Sequence, residues 1–263
     1  MTPSTALVTG GASGIGREVV GLLREAGHHV VVWDLTDTDI VCDISDPDAV
    51  AAAMEQTVRE HGVPARVVTS AAIGSSGPSG LLLKQSPADW ERVLSINLTG
   101  TWLTLRAAAQ AMVDAEVQGS IVAVSSISGT VADRDMGAYC VSKAGVDMLV
   151  KVAAAEWGTY GIRVNAVGPG VTRTPMLPNP DAWPGWVDGL SRRTALGRLG
   201  EAIDVAGAIV GVLELPWVTG QVVHADGGLA LHSPIDAYGQ LERLMRLKRL
   251  REIRDQREKA KEA

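Results

Sequence analysis

Two short stretches combine residue types and spacings that can do chemistry. The first is Thr9-Gly10-Gly11-Ala12-Ser13-Gly14-Ile15-Gly16. Glycines at 10, 14 and 16 let a backbone turn sharply and approach a pyrophosphate at a helix N-terminus. Asp34 lies 18 residues beyond Gly16. A carboxylate there can accept both ribose hydroxyls of NAD and would repel the 2′-phosphate of NADP. Such a turn alone is weak, since glycine-rich turns are common punctuation, and Asp34 alone could be a solvated strand end. The second stretch is Tyr139-Cys140-Val141-Ser142-Lys143. On a helix, i and i+4 share a face, so an ammonium would stand one turn from a phenol. It would favour phenolate and bring the tyrosine toward the range of a general base. By itself this pair is also weak, because both residues are common on helix surfaces.

The elements that must position these residues can be read from hydrophobic periodicity. Ala6-Leu7-Val8 reads as a strand running into the glycine turn. A helix follows with Ile15, Val19, Val20, Leu22, Leu23 and Ala26 on one face, and Gly27 ends it. Val30-Val31-Val32-Trp33 reads as a buried strand ending at Asp34. The alternation continues: a short strand at 39–42, a helix at 46–61 opened by Asp46-Pro47, and a strand at 66–71. Helical patterning covers 87–115, a strand 120–125 and a long helix 137–160 ended by Gly161. A strand at 162–166, a helix at 201–213 and a strand at 221–225 complete it. Alternating strands and helices predict a mainly parallel sheet covered on both faces. Between Trp33 and Ile40 stand only six residues, too few for the usual crossover helix. A bare turn must make that link and leave the sheet edge open. Residues 176–196, with three Pro and two Trp, read as a partly helical lid or binding loop.

Composition narrows the partners. The 263 residues carry a net charge of −6, which disfavours nucleic acid. Residues 236–263 hold nine Lys/Arg against six Asp/Glu, a basic tail of +3 on a body of −9. Two cysteines, Cys42 and Cys140, make no disulfide framework, so a reducing, cytoplasmic setting is expected. The N-terminus shows no secretory pattern, and no apolar run nears the ~18 residues of a membrane span. The five His show no metal spacing, and His28-His29 reads as a solvated turn. Met112, Met136 and Met148 read as core or interface filler.

Together with Ser125-Ser126 at a strand end, Ile96-Asn97, Pro169-Gly170, Thr174, Thr219-Gly220-Gln221 and Asp226-Gly227-Gly228, the two stretches resemble a short-chain dehydrogenase/reductase of the compact, NAD-preferring kind. The resemblance spans about 4–232. It implies one α/β, Rossmann-type, doubly wound domain over 1–232 with a seven-stranded, mostly parallel sheet, leaving 233–263 as a basic C-terminal helical extension. It implies Tyr139 as acid/base and Lys143 as the residue that holds the nicotinamide ribose. Ser126 would orient the substrate oxygen, with Ser125 turned the other way by strand alternation, and Asn97 would hold a relay water. The cofactor set would be Gly10, Ser13, Gly14, Ile15, Gly16, Asp34, Asp43, Ile44, Ser70, Ala71, Pro169, Gly170, Thr172 and Thr174, beside Tyr139 and Lys143. Asn97 could instead bridge backbone groups at a helix kink, and Ser126 could cap the next segment. Two departures stand out: the missing helix near residue 36, and Thr69-Ser70-Ala71-Ala72 where the family carries Asn-Asn-Ala-Gly, with Ala72 restricting φ.

The expected activity is NAD-dependent interconversion of a secondary alcohol and a ketone, without a metal. Trp183 and Trp186 on the lid point to an apolar or cyclic substrate, hydroxysteroid- or dihydrodiol-like, or else pack the loop onto its own domain. The alternatives are a 3-oxoacyl-thioester reductase and a non-catalytic NAD-binding sensor. The resemblance implies a homotetramer built by the helices near 98–117 and 140–158. In the tail, apolar residues at 241, 244, 247, 250 and 253 form a spiral stripe among many charges. It reads either as a solvated helix or as an arm over a neighbouring subunit or the site.

Overall fold

The computed structural model describes residues 4–74, 81–177, 179–182 and 184–231, and in the tail 241, 243–249 and 252. Two compact units are present, Met1–Ala230 and Leu231–Ala263. In the second, the described residues are helical.

The first unit alternates as its periodicity predicts. β1 (Thr5–Thr9) leads into α1 (Gly14–Glu25) and β2 (His29–Asp34). β3 (Ile40–Val41), α2 (Pro47–His61) and β4 (Arg66–Thr69) follow, then α3 (Pro87–Leu94), a π-helical stretch Ser95–Gly100 and α4 (Thr101–Asp114). β5 (Gly119–Val124), α5 (Gly137–Trp157) and β6 (Ile162–Pro169) come next. β7 (Thr172–Arg173), α6 (Trp186–Arg193), β8 (Gly200–Glu201), α7 (Ala202–Leu213) and β9 (Val222–Ala225) complete it. The main sheet has seven strands in the order β3-β2-β1-β4-β5-β6-β9, each pair parallel. This is the doubly wound α/β architecture expected from the alternation.

Strand alternation sorts the core into two layers. Leu7, Val31, Trp33, Val67, Ile121 and Val164 pack under α2, α4 and α5. Ala6, Val8, Val30, Val32, Val68, Val122 and Val167 pack under α1 and α7. Because both faces are covered, the strands read as unbroken apolar runs. Trp33 is fully buried and its indole N–H donates to Thr57 Oγ1 at 3.0 Å, which answers the polar edge of a large ring.

The β2–β3 link is the bare turn predicted. Thr38 Oγ1 donates to Val32 O at 2.6 Å, and Val32 N donates to Asp39 Oδ2 at 2.9 Å. Side-chain oxygens thus replace a missing helix in satisfying the strand end. The edge is open: Leu35 is 62% and Val41 72% exposed.

Three features differ from the sequence reading. The helix expected over 87–115 is interrupted by the π-helical stretch. β7 and β8 form a small parallel pair that local patterning did not reveal. His28 is buried at 4% exposure, with its pKa lowered chiefly by burial, whereas His29 is exposed with Nε2 2.9 Å from His61 Nδ1. Among the described residues, no helix is long and apolar enough to cross a membrane, and no metal-ligating cluster of three or more groups occurs.

Candidate active site

The glycine turn is built by close approach. Gly10 has φ +68°, and a Cβ there would stand 2.6 Å from Ala71 N. A Cβ on Gly16 would collide with Gly10 O. Gly10 N donates to Trp33 O at 2.8 Å, tying the turn to the end of β2. Ser13 is the N-cap of α1, but its side chain makes no capping bond, so the helix's first N–H groups keep no side-chain acceptor there. This is a cradle for an anion rather than a closed cap.

Asp34 stands at its rim with a fixed orientation. Its Oδ2 accepts from Ala12 N at 3.0 Å and its Oδ1 from Leu35 N at 2.8 Å. Each carboxylate oxygen keeps acceptor capacity for a further donor. The cleft has a volume of about 490 Å³. Of the predicted cofactor residues, Gly10, Ser13, Gly14, Ile15, Asp34, Asp43, Ile44, Ser70, Ala71 and Thr174 line it. Gly16, Pro169, Gly170, Thr172, Tyr139 and Lys143 do not. Gly170 packs on Asp226, where a Cβ would lie 2.7 Å from its Cα, and Thr172 Oγ1 donates to Gly170 O at 3.0 Å. Gly16 serves the turn from behind. Ala72 keeps an ordinary φ, so its replacement of a family glycine costs the turn nothing.

Residues that sequence reasoning passed over also line the cleft, notably Cys42, Arg92, Ser95 and Met176. Burial pushes the Cys42 thiol up to about 11, with Asp43 and Asp46 adding to it. Arg92 had no sequence signal, because only tertiary packing turns its face of α3 toward the cleft.

The second group gathers around α5. Helical spacing sets Lys143 one turn from Tyr139, with Nζ 5.6 Å from the ring centroid. Lys143 is 3% exposed, and its Nζ donates to Val124 O at the end of β5, 2.8 Å away. Burial pulls its pKa down to about 8, opposed by the nearby Asp147. Burial likewise pushes the Tyr139 phenol up, and the hydrogen bond with Ser126 opposes that rise. This corrects the expectation that Lys143 lowers the phenol: in the structure the opposing influence is Ser126, and burial wins. Ser126 Oγ also accepts from Ser128 N at 3.1 Å, capping the short 3₁₀ turn Ile127–Gly129. Ser125 points the other way, its hydroxyl toward Lys143 O at 3.3 Å.

Asn97 is fully buried inside the π-helical stretch. Its Oδ1 accepts from Ile73 N at 2.8 Å, and its Nδ2 donates to Ile73 O at 2.9 Å and to Ser142 Oγ at 3.2 Å. The bulge re-aims this side chain across to the loop after β4, the kind of local irregularity found at functional positions. Trp186 opens α6 half-buried. Trp183 lies outside the described residues. The segment after β7 is tied down by Arg173, whose guanidinium bonds Asp181 at 2.7 and 3.1 Å and stands 3.6 Å from Glu201.

Comparison with known proteins agrees with this geometry. Residues 10–230 match the family model described as enoyl-(acyl carrier protein) reductase. The chain is 36% identical over 245 residues to 2,5-dichloro-2,5-cyclohexadiene-1,4-diol dehydrogenase of Sphingobium indicum, covering 87% of this chain and 97% of that one. It belongs to the short-chain dehydrogenase/reductase family. Another dehydrogenase of this family, the (3R)-3-hydroxyacyl-CoA dehydrogenase of Canis lupus familiaris, is 36% identical over 85% of this chain and 95% of its own. Cis-4-hydroxycyclohexanecarboxylate dehydrogenase of Sinomonas cyclohexanicum is 36% identical, with the same two coverages of 85% and 95%. Among solved structures, a short-chain type dehydrogenase/reductase from Mycobacterium marinum superposes with a TM-score of 0.81 at 30% identity, over 87% of this chain and 96% of that one. As a short-chain dehydrogenase/reductase, the chain is an alcohol oxidoreductase that uses a nicotinamide cofactor.

Proposed function

We propose that this short-chain dehydrogenase/reductase oxidises a secondary alcohol on an apolar ring with NAD. The observation that carries the cofactor choice is Asp34, held by two backbone N–H groups at the rim of the cleft. A carboxylate so fixed accepts a ribose diol and repels a 2′-phosphate. The glycine turn fits a pyrophosphate, because its close backbone packing at Gly10 and Gly16 sets Ser13, Gly14 and Ile15, at the uncapped start of α1, along the cleft. Gly14, Ile15 and Thr174 would hold the phosphates, Asp43 and Ile44 the adenine, and Lys143 the far ribose. When bound, the dinucleotide supplies the hydride acceptor.

Tyr139 takes the hydroxyl proton onto its phenol oxygen. Ser126 donates its hydrogen bond to the substrate oxygen as charge develops there. Lys143, held by Val124 O, keeps a positive charge one turn from the phenol. Asn97 locks the loop after β4 to α5 through Ile73 and Ser142. Because burial raises Tyr139, alcohol oxidation gains rate as pH rises and the phenolate fraction grows.

The ring preference is supported by the named substrates of two relatives and by the aromatic Trp186 on the lid. A 3-hydroxyacyl-thioester substrate is the second reading, favoured by the (3R)-3-hydroxyacyl-CoA dehydrogenase at equal identity. The presence of both Tyr139 and Lys143 argues against a non-catalytic NAD sensor. We place the enzyme in the cytoplasm, on its free cysteines, as a homotetramer. Exposed apolar side chains on α4 and α5, Trp102, Val141, Met148 and Val152, support assembly through those helices.

The test is a panel of ring alcohols and a 3-hydroxyacyl thioester with NAD or NADP, read by reduced-nicotinamide absorbance. Tyr139→Phe should lose roughly 10²-fold or more in kcat while still binding NAD. Asp34→Ala should relax the preference for NAD. A wild-type enzyme that prefers NADP refutes the reading of Asp34.

A further inference from the structure

Asp147 is a buried carboxyl that the proposed chemistry does not use. It sits on α5 one turn beyond Lys143 and two beyond Tyr139, at 8% exposure. Its Oδ1 is buried without a hydrogen-bond partner in the described structure. A buried, unsatisfied carboxyl oxygen is costly, so its position calls for a physical reason.

Two contacts lead from it to the substrate side. A Cβ on Gly129 would stand 2.7 Å from Asp147 Oδ2 and 3.1 Å from Lys143 O. The turn after β5 therefore lies directly on the carboxyl, and a larger residue at Gly129 would press on it. The second contact is Ser125. Its hydroxyl points to Lys143 O at 3.3 Å, a long bond, and that same Lys143 O lies with Asp147 Oδ2 against Gly129, which puts the hydroxyl on the side of α5 that carries the carboxyl. A weakly used donor and an unused acceptor thus face each other, and rotation of one hydroxyl joins them. The next residue in the chain is Ser126, which faces Tyr139 from the opposite side of the same backbone.

We propose that Asp147 is a positioning residue that, through Ser125, clamps the turn Ser125–Gly129 onto α5 and so holds Ser126 at the Tyr139 phenol. The clamp rests on the dehydrogenase reading for its catalytic meaning. Burial pushes the Asp147 carboxyl up, and Ser125, His224 from β9 and Lys151 and Lys143 from α5 only oppose that rise. Lys143 itself is spent on Val124 O, which leaves Ser125 as the nearest donor with a bond to give.

The experiment compares Asp147→Ala, Asp147→Asn, Ser125→Ala and the double variant Ser125→Ala/Asp147→Ala in the full chain. The kinetic probe is cis-4-hydroxycyclohexanecarboxylate with NAD. Displacing Ser126 should lower kcat roughly 10- to 100-fold in Asp147→Ala and Ser125→Ala, with KM for NAD unchanged. The double variant should be no worse than either single one, because both remove the same clamp. Asp147→Asn keeps an oxygen for Ser125 and should restore most of the rate. The substrate-free readout is amide hydrogen exchange at Ser128 and Gly129, whose N–H groups bond Ser126. Exchange should quicken in Asp147→Ala and Ser125→Ala and stay slow in Asp147→Asn. Wild-type exchange and kcat in Asp147→Ala overturn the clamp, as does Asp147→Asn behaving like Asp147→Ala. If Asp147→Ala fails to fold, Ser125→Ala and Asp147→Asn decide the matter by the same readouts. A wild-type enzyme inert toward every alcohol, with exchange still quickened in Ser125→Ala, sinks the dehydrogenase reading and leaves the clamp.

Discussion

Lys143 shows how a single buried side chain trades stability for position. Its pKa falls from the usual lysine range to about 8, so the folded protein binds fewer protons than the unfolded chain between there and 10.5. Stability from this group therefore rises with pH across that window, and below it the fold carries a charge it would rather shed. Lys143→Met should raise the melting temperature at pH 7, by a penalty relieved on the order of 3 kcal/mol less the loss of the bond to Val124 O. The gain should shrink as pH climbs from 8 toward 10.5. Thermal scans across that pH range check it, and a melting temperature that falls at pH 7 contradicts the assignment. Tyr139 carries the complementary lesson. The i+4 spacing made its nearness to Lys143 legible, but not which influence on the phenol dominates. Burial decides that, and burial belongs to the packed fold.

At the scale of elements, caps and glycines do the placing. Asp46 accepts from Asp48 N at 2.9 Å and Ala49 N at 3.3 Å, with Pro47 opening α2. Asp46→Ala should cost about 1 kcal/mol. It should appear as a lower urea midpoint with an unchanged slope, and kinetics should not change. Gly10→Ala is different in kind. It combines a positive φ with a clash against Ala71 N, so it should displace the turn and weaken NAD binding by calorimetry as well as stability. The cap and the glycine turn were both legible, since each is a local residue choice. The π-helical stretch that re-aims Asn97 was not, because nothing in Ser-Ile-Asn-Leu-Thr-Gly, its closing Gly100 included, distinguishes a π turn from continued α-helix. The β7–β8 pair escaped for a related reason: its strands are two residues each and lie 28 positions apart.

For the whole unit 1–230, long-range ties matter most. Arg66 on β4 bonds Glu214 beyond α7 at 2.7 and 3.2 Å, joining positions 148 apart in sequence. The guanidinium holds the Glu214 carboxyl below its ordinary range against a smaller effect of burial. A depressed carboxyl contributes stability above the unfolded value of 4.5 and loses it as pH falls through the folded value. Glu214→Gln should lower the melting temperature by about 2–4 °C at pH 7, for a loss of about 1 kcal/mol. The difference should fade in acid. A difference that persists below pH 3 or so would assign it to packing instead.

The sequence by itself determined the architecture and most of the residues at the site. Apolar runs of period two and 3.6, punctuated by glycine and proline, leave a parallel sheet as the arrangement that buries them. The glycine turn beside Asp34 and the nearness of Tyr139 to Lys143 were legible because their placement depends on spacing along one or two adjacent elements. The tertiary structure alone decided what depends on residues remote in sequence. It turned Arg92 and Met176 into the cleft and left Pro169, Gly170 and Thr172 out of its lining. It buried His28 and raised the phenol that spacing alone would lower. It also laid Gly129 on Asp147. Periodicity encodes which face of an element is apolar. Desolvation and close approach are set by whatever the fold brings against that face.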